Sequence, residues 1–126
     1  MNDVIREWLE KAEGDYLTAM REVAVQQQPN YDAFCFHAQQ CIEKLFKALL
    51  ISQRILPGRT HNLIYLSQQL EESLPDWTTN IKELQTLTHA SVAFRYPGET
   101  AENIDAEEAM VIATRLRESL LFLLKK

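Results

Sequence analysis

The stretch DAFCFHAQQCIEKLFKALLISQ, residues 32–53, decides the fold. Phe34, Ala38, Cys41, Leu45, Ala48 and Leu49 recur at three- and four-residue spacing, the period of one face of an α-helix. Phe36, Ile42, Phe46 and Leu50 widen that stripe well beyond a single face. A helix with so broad an apolar surface is expected to be buried on more than one side.

Working outward, residues 3–26 predict a first helix, with Ile5, Trp8, Leu9, Ala12, Tyr16, Ala19, Met20 and Val23 inward. QQQPN breaks it: Pro29 ends the run and Asn30 can cap the next helix. Beyond the central helix, Pro57 and Gly58 stop the chain. Thr60 is positioned to cap a third helix over residues 61–74, with Leu63, Leu66 and Leu70 inward. Pro75 closes that one, and Asn80 with Glu83 has the spacing of a capping box for a fourth helix through Ile81, Leu84, Leu87 and Ser91. Pro97 and Gly98 forbid its continuation. Asp105 with Glu108 opens a fifth, carried by Ala109, Ile112, Ala113, Leu116, Leu120 and Leu123. With three glycines, four prolines and no convincing strand pattern, residues 1–126 read as a single all-α domain. It is expected to be an antiparallel up-and-down bundle of four or five helices.

No apolar run approaches the roughly 20 residues of a membrane span, and the first residues are charged, so a soluble cytoplasmic protein is expected. Cys35 and Cys41 on one helix would stand about 9 Å apart along its axis, too far for a disulfide, which predicts two buried thiols. His37 and Cys41 share a helical face but lack a second pair of ligands at usable spacing, so no metal or other cofactor is expected. The net charge of −5 is uneven. Residues 44–70 hold Lys44, Lys47, Arg54 and Arg59 without an acid, while 71–108 carry a net −7. A basic island inside an acidic chain can attract a phosphate locally, or can serve as an internal partner for the acidic segment. No Gly-rich phosphate loop or Gly-x-Ser-x-Gly elbow appears, and the negative balance with no helix-turn-helix signature argues against sequence-specific DNA binding.

If short connections keep neighbouring helices antiparallel, the second helix ends, the third begins, the fourth ends and the fifth begins at one pole. Arg54, Arg59, His61, Arg95 and Tyr96 would then share that pole. Guanidinium forks fit phosphate oxygens, and imidazole exchanges protons near neutral pH. Together these are parts for binding a phosphate or cleaving a phosphodiester. A plainer reading stays open, in which Arg95 pairs with Glu99, Glu102, Asp105, Glu107 or Glu108, Arg59 is solvated and His61 bonds nearby backbone. His37, Gln40, Lys44 and Lys47 form a stripe that is either a groove wall leading to the pole or a solvated face. Trp8, Tyr16, Phe34, Phe36 and Phe46 read as core, and His89 as a polar-edge or core residue away from the pole.

Four stretches, WLEKAEGDYLTA, FHAQQCIEKLFKALL, THNLIYL and FRYPGE, resemble the HEPN domain family (higher eukaryotes and prokaryotes nucleotide-binding) across nearly the whole chain. The pattern F-x-A-Q-Q-x-x-E-K-x-x-K-A is the most specific part. The resemblance implies a helical bundle, commonly a homodimer. Many members are encoded beside a minimal nucleotidyltransferase in a toxin–antitoxin-like pair, which would make that enzyme a partner and a nucleotide or RNA the ligand. Others are metal-independent ribonucleases using Arg-x4–6-His, often completed by two protomers. On that pattern Arg54 would stabilise the phosphate and His61 would transfer protons, with Arg59, Arg95, Tyr96, Lys44 and Lys47 as nucleotide- or phosphate-binding residues. Two departures stand out. Ile55 follows the arginine where the family usually has a polar residue, and Pro57–Gly58 interrupts the motif.

Overall fold

The computed structural model describes residues 2–94 and 97–125 and contains five helices, with no strand among them. They are α1 (Asp3–Ala24), α2 (Tyr31–Ser52), α3 (Leu63–Ser73), α4 (Ile81–Ala93) and α5 (Asn103–Leu124). The all-α bundle expected from the periodicity is therefore present. Its centre is α2, which packs against each of the other four helices. Phe34, Ile42, Phe46, Leu49 and Leu50 are fully buried, as the width of the α2 stripe requires. Leu63, Leu66, Leu70, Leu84, Leu87 and Leu120 close around them.

Cap chemistry sets the helix ends. Asn2, Asn30, Asn62 and Asn80 each place a side-chain oxygen on a free N–H of the following first turn. Asn62, not Thr60, starts α3: its Oδ1 accepts from Ile64 and Tyr65, and Thr60 Oγ1 accepts from Asn62 N instead. The α5 capping box is built by Glu102 and Asp105, one turn before the expected Asp105–Glu108 pair. Glu83 turns away from its own helix end to pair with Arg115 of α5.

α1 and α2 form an antiparallel hairpin, and α4 lies antiparallel to α5 through Glu83 and Arg115. The same alternation carries through α1, α2, α4 and α5, and only the inserted α3 departs from it. Asp32 Oδ1, in the first turn of α2, accepts from Ala101 N at 2.6 Å, so α5 begins where α2 begins and the two run parallel. The connection 53–62 does not reverse at the end of α2. It climbs back until His61 O receives Gln39 Nε2 at 3.1 Å, in the middle of α2, and α3 starts there. The shared pole expected from short loops is thus not formed. α3 begins beside the middle of α2, and α5 begins at the opposite end from Arg54.

The return of the chain starts at a Schellman-type C-cap. Ile55 N donates to Leu50 O and Arg54 N to Ile51 O, both at 2.9 Å. Arg54 occupies the left-handed position, φ +62°, where glycine is the usual residue. Ile55 follows as the apolar residue that such caps fold back onto the helix, and it is half-buried against the core. The second departure from the family pattern, the Pro57–Gly58 turn, is pinned by Gln69, whose Nε2 donates to Leu56 O and whose Oε1 accepts from Gly58 N. A Cβ at Gly58 would stand 2.5 Å from the Tyr65 ring, so the turn also needs that glycine's bare backbone.

Cys35 and Cys41 are free and buried, as expected. Burial, with Asp105 and Asp32 adding to it at Cys35, pushes both thiols from 9.0 up to about 12. At pH 8 the folded chain should therefore hold about a thousandfold less thiolate than an exposed cysteine. Alkylation by iodoacetamide, followed by mass spectrometry, should require denaturant. Arg54→Gly should raise stability in urea unfolding by about 0.5–1 kcal/mol, the left-handed penalty less glycine's entropic cost.

Candidate functional site

One row along α2 organises the polar chemistry. Gln39, Glu43 and Lys47 follow each other at four-residue spacing on the side covered by the returning loop. The Glu43 side chain is only 4% exposed. Its Oε1 accepts from Gln39 Nε2 at 3.2 Å and faces His61 Nδ1 at 2.9 Å, while its Oε2 accepts from Lys47 Nζ at 3.1 Å. Gln39, fully buried, also receives Gln40 Nε2 on its own Oε1 at 2.9 Å. Each polar group of this row is thereby partnered, as removal from water demands.

His61 is held twice, by its carbonyl to Gln39 and by its ring to Glu43, yet its side chain is 79% exposed. A carboxylate only accepts, so Nδ1 carries the hydrogen shared with Glu43, and Nε2 on the exposed ring is left without a protein partner among the described residues. An oriented imidazole backed by a buried acid is the arrangement a proton-transfer group needs. Glu43 and Gln39 are the residues that sequence reasoning missed. The available signal was the motif around the basic island, in which Gln39, Glu43 and Lys47 recur at four-residue spacing.

The island itself is largely neutralised. Lys47 is paired with Glu43, and Lys44 with Asp15 Oδ2. His37 Nδ1 meets Asp15 Oδ1 at 2.8 Å, tying α1 to α2. The stripe His37, Gln40, Lys44 and Lys47 is therefore not a solvated face but a set of half-buried ion pairs and hydrogen bonds, of which Lys44 also borders a cleft beside Trp8. Arg117 of α5 grips Glu13 and lies 4.1 Å from the Tyr16 ring centre.

Among the described residues, Arg54 and Arg59 have no carboxylate partner, and both are exposed. Arg59 lines a cleft of about 350 Å³ with Gly58, Thr60, Asn62 and Tyr65, next to His61 in the chain. Arg54 sits just past the end of α2, and among the described residues no hydrogen bond joins it to His61, which lies beside Gln39 in the middle of that helix. Arg95 and Tyr96 lie outside the described residues. His89 is exposed, edge-on to Phe94 at 6.0 Å. Phe34 and Phe46 are core, whereas Trp8, Tyr16 and Phe36 are only half-buried. No helix among the described residues is long and apolar enough to cross a membrane.

The sequence profile of the HEPN domain matches residues 5–123. No curated protein shows significant similarity to the chain. Among solved structures, TT1696 from Thermus thermophilus shares the fold at 18% identity and a TM-score of 0.72, covering 97% of this chain and 99% of that one. ST0689, described as an archaeal HEPN homologue, is 26% identical with a TM-score of 0.63, over 92% and 93% of the two chains.

The geometry separates two residues by their expected cost. Glu43→Ala strands Lys47 and the buried Gln39 amide, and should lower stability by about 3 kcal/mol. His61→Ala removes one of the three donors to Glu43 but leaves Gln39 and Lys47 in place, and should cost about 1–2 kcal/mol. Urea unfolding followed by circular dichroism measures both.

Proposed function

The chain belongs to the HEPN family, and from that premise we propose that it is a phosphate-binding module whose 54–61 loop receives a nucleotide or an RNA phosphate. In this reading it works as the partner of a minimal nucleotidyltransferase in a toxin–antitoxin-like pair. The observation that carries the phosphate reading is that two arginines without a carboxylate partner stand on the same loop as the oriented His61. Lys44, Lys47, Arg115 and Arg117 are each held by a carboxylate, while Arg54 and Arg59 are left to solvent on the loop that carries an oriented His61. Unpaired guanidinium groups on a pinned loop present forked donors at little ordering cost, which suits phosphate oxygens. Lys44 and Lys47 contribute through the carboxylates they hold in place. Arg95 and Tyr96 stay in the proposal as further phosphate-binding residues, on their chemistry alone.

A second reading is favoured by the His61–Glu43 contact. A metal-independent endoribonuclease needs a base for the 2′-hydroxyl as it attacks the adjacent phosphate, and His61 Nε2, without a protein partner among the described residues, can take that proton. An arginine stabilises the charge that develops on the phosphate. No hydrogen bond joins Arg54 to His61 among the described residues of one chain, so in this reading a homodimer brings Arg54 of one protomer to His61 of the other.

Titration calorimetry with ATP and with a short oligoribonucleotide, and gel analysis of RNA incubated with EDTA, divide the readings. Saturable binding weakened about tenfold or more by Arg59→Ala, without cleavage, fits the module. Cleavage leaving a 2′,3′-cyclic phosphate, abolished by His61→Ala and reduced at least tenfold by Glu43→Gln, fits the ribonuclease. Neither binding nor cleavage at any concentration tested would remove both.

A further inference from the structure

Lys47 looks in two directions. On one side its Nζ donates to Glu43, which holds His61; on the other it lies 5.6 Å from the ring centre of Trp8 on α1. Trp8 in turn forms a wall of a cleft of about 420 Å³, whose other linings are Val4, Glu7, Lys11 and Lys44. His61, Glu43, Lys47 and Trp8 thus form one chain of contacts, and the indole is a short oligonucleotide's reach from the imidazole.

The Trp8 indole is half-buried, unlike Trp77, which is packed edge-on against Phe46 with its N–H on Ser67. A half-open indole bordered by ammonium groups is the composition of a base-stacking platform: the ring offers a π-face to any base, and the cations lie along the backbone's path. Lys11 is exposed and has no carboxylate partner among the described residues. Glu7 adds a carboxylate that can accept from an exocyclic amino group of a base. The volume accommodates one base with its sugar.

We infer that the Trp8 cleft is a nucleobase subsite, in which a base stacks on Trp8 with Lys11 beside its phosphate, while a neighbouring phosphate reaches the 54–61 loop. This rests on the reading of that loop as a phosphate-binding surface and adds to it where a base is gripped. The ligand chemistry is a base carrying a phosphate, from a free nucleotide or from single-stranded RNA.

The test uses the full chain and the intrinsic fluorescence of its two tryptophans, with Trp77 as the sheltered reference. AMP and an eight-residue oligoadenylate are titrated separately. Quenching by AMP identifies a site for free nucleotides, and quenching by the oligomer alone identifies one for RNA; both support the subsite. Trp8→Leu should remove the quenching and weaken oligomer binding, measured by anisotropy of a labelled strand, by roughly ten- to a hundredfold. Trp8→Phe should retain part of the affinity. Lys11→Glu changes an exposed side chain, leaves the core intact, and should weaken binding with a shallower salt dependence. Oligomer binding that is lost in Arg59→Ala but unchanged in both Trp8→Leu and Lys11→Glu would overturn the subsite and leave the loop reading standing. Absence of any binding would overturn both. A change of oligomeric state in Trp8→Leu with binding intact would assign the cleft to a protein contact and overturn the subsite.

Discussion

A carboxylate withdrawn from water must recover its lost hydration from donors around it, and Glu43 is almost wholly withdrawn. It does so with three donors from two stretches of chain: Gln39 and Lys47 on its own helix, and His61 from the far end of the following connection. That requirement shapes the rest. The chain leaving α2 has to return along it to deliver His61, so the connection is long, α3 starts beside the middle of α2, and the loop carrying Arg54 and Arg59 is stretched over the surface. A helix that reversed immediately after Ser52 would leave Glu43 with an unfilled side.

The loop is held in place at several points. Gln69 grips the turn from α3, Gln39 grips His61 from α2, and the Schellman cap fixes how the chain leaves the helix. Arg54 stands at the left-handed position of that cap, where a side chain costs on the order of 1–2 kcal/mol that glycine would not. Local rules tend to be broken where function needs them broken, and an unpaired guanidinium at a strained cap fits that pattern. Several of the other charges are used between helices: Asp15 joins α1 to α2 through His37 and Lys44, Glu13 joins α1 to α5 through Arg117, and Glu83 joins α4 to α5 through Arg115. The acidic protein is thus stitched by its own lysines and arginines, leaving a local cationic surface smaller than the island in the sequence.

The motif F-x-A-Q-Q-x-x-E-K-x-x-K-A acquires a physical meaning in this arrangement. Gln39, Glu43 and Lys47 are its network, Lys44 is the anchor for Asp15, and Ala38 and Ala48 let neighbouring helices approach. The two departures from the family pattern have structural reasons as well. Ile55 is the apolar residue of the helix cap, and Pro57–Gly58 is the turn that sends the chain back along α2.

Five helices, their order, the burial of α2 on more than one side and the buried thiols were legible in the residues alone, because hydrophobic period, proline and glycine punctuation and asparagine caps act over a few positions. Which cap won was less legible: Thr60 and Asn62 were two residues apart, and only the backbone conformation chose Asn62. The course of α3, and with it the end of the bundle at which α5 begins, were not legible. They depend on contacts between residues far apart in the chain, Gln39 with His61 and Asp32 with Ala101, which no local pattern encodes. For the same reason the sequence could nominate Arg54, Arg59 and His61 by chemistry, but pairing was decided in three dimensions. Whether a charge is free or satisfied depends on what another helix brings within 3 Å or so of it, and that is a property of packing alone.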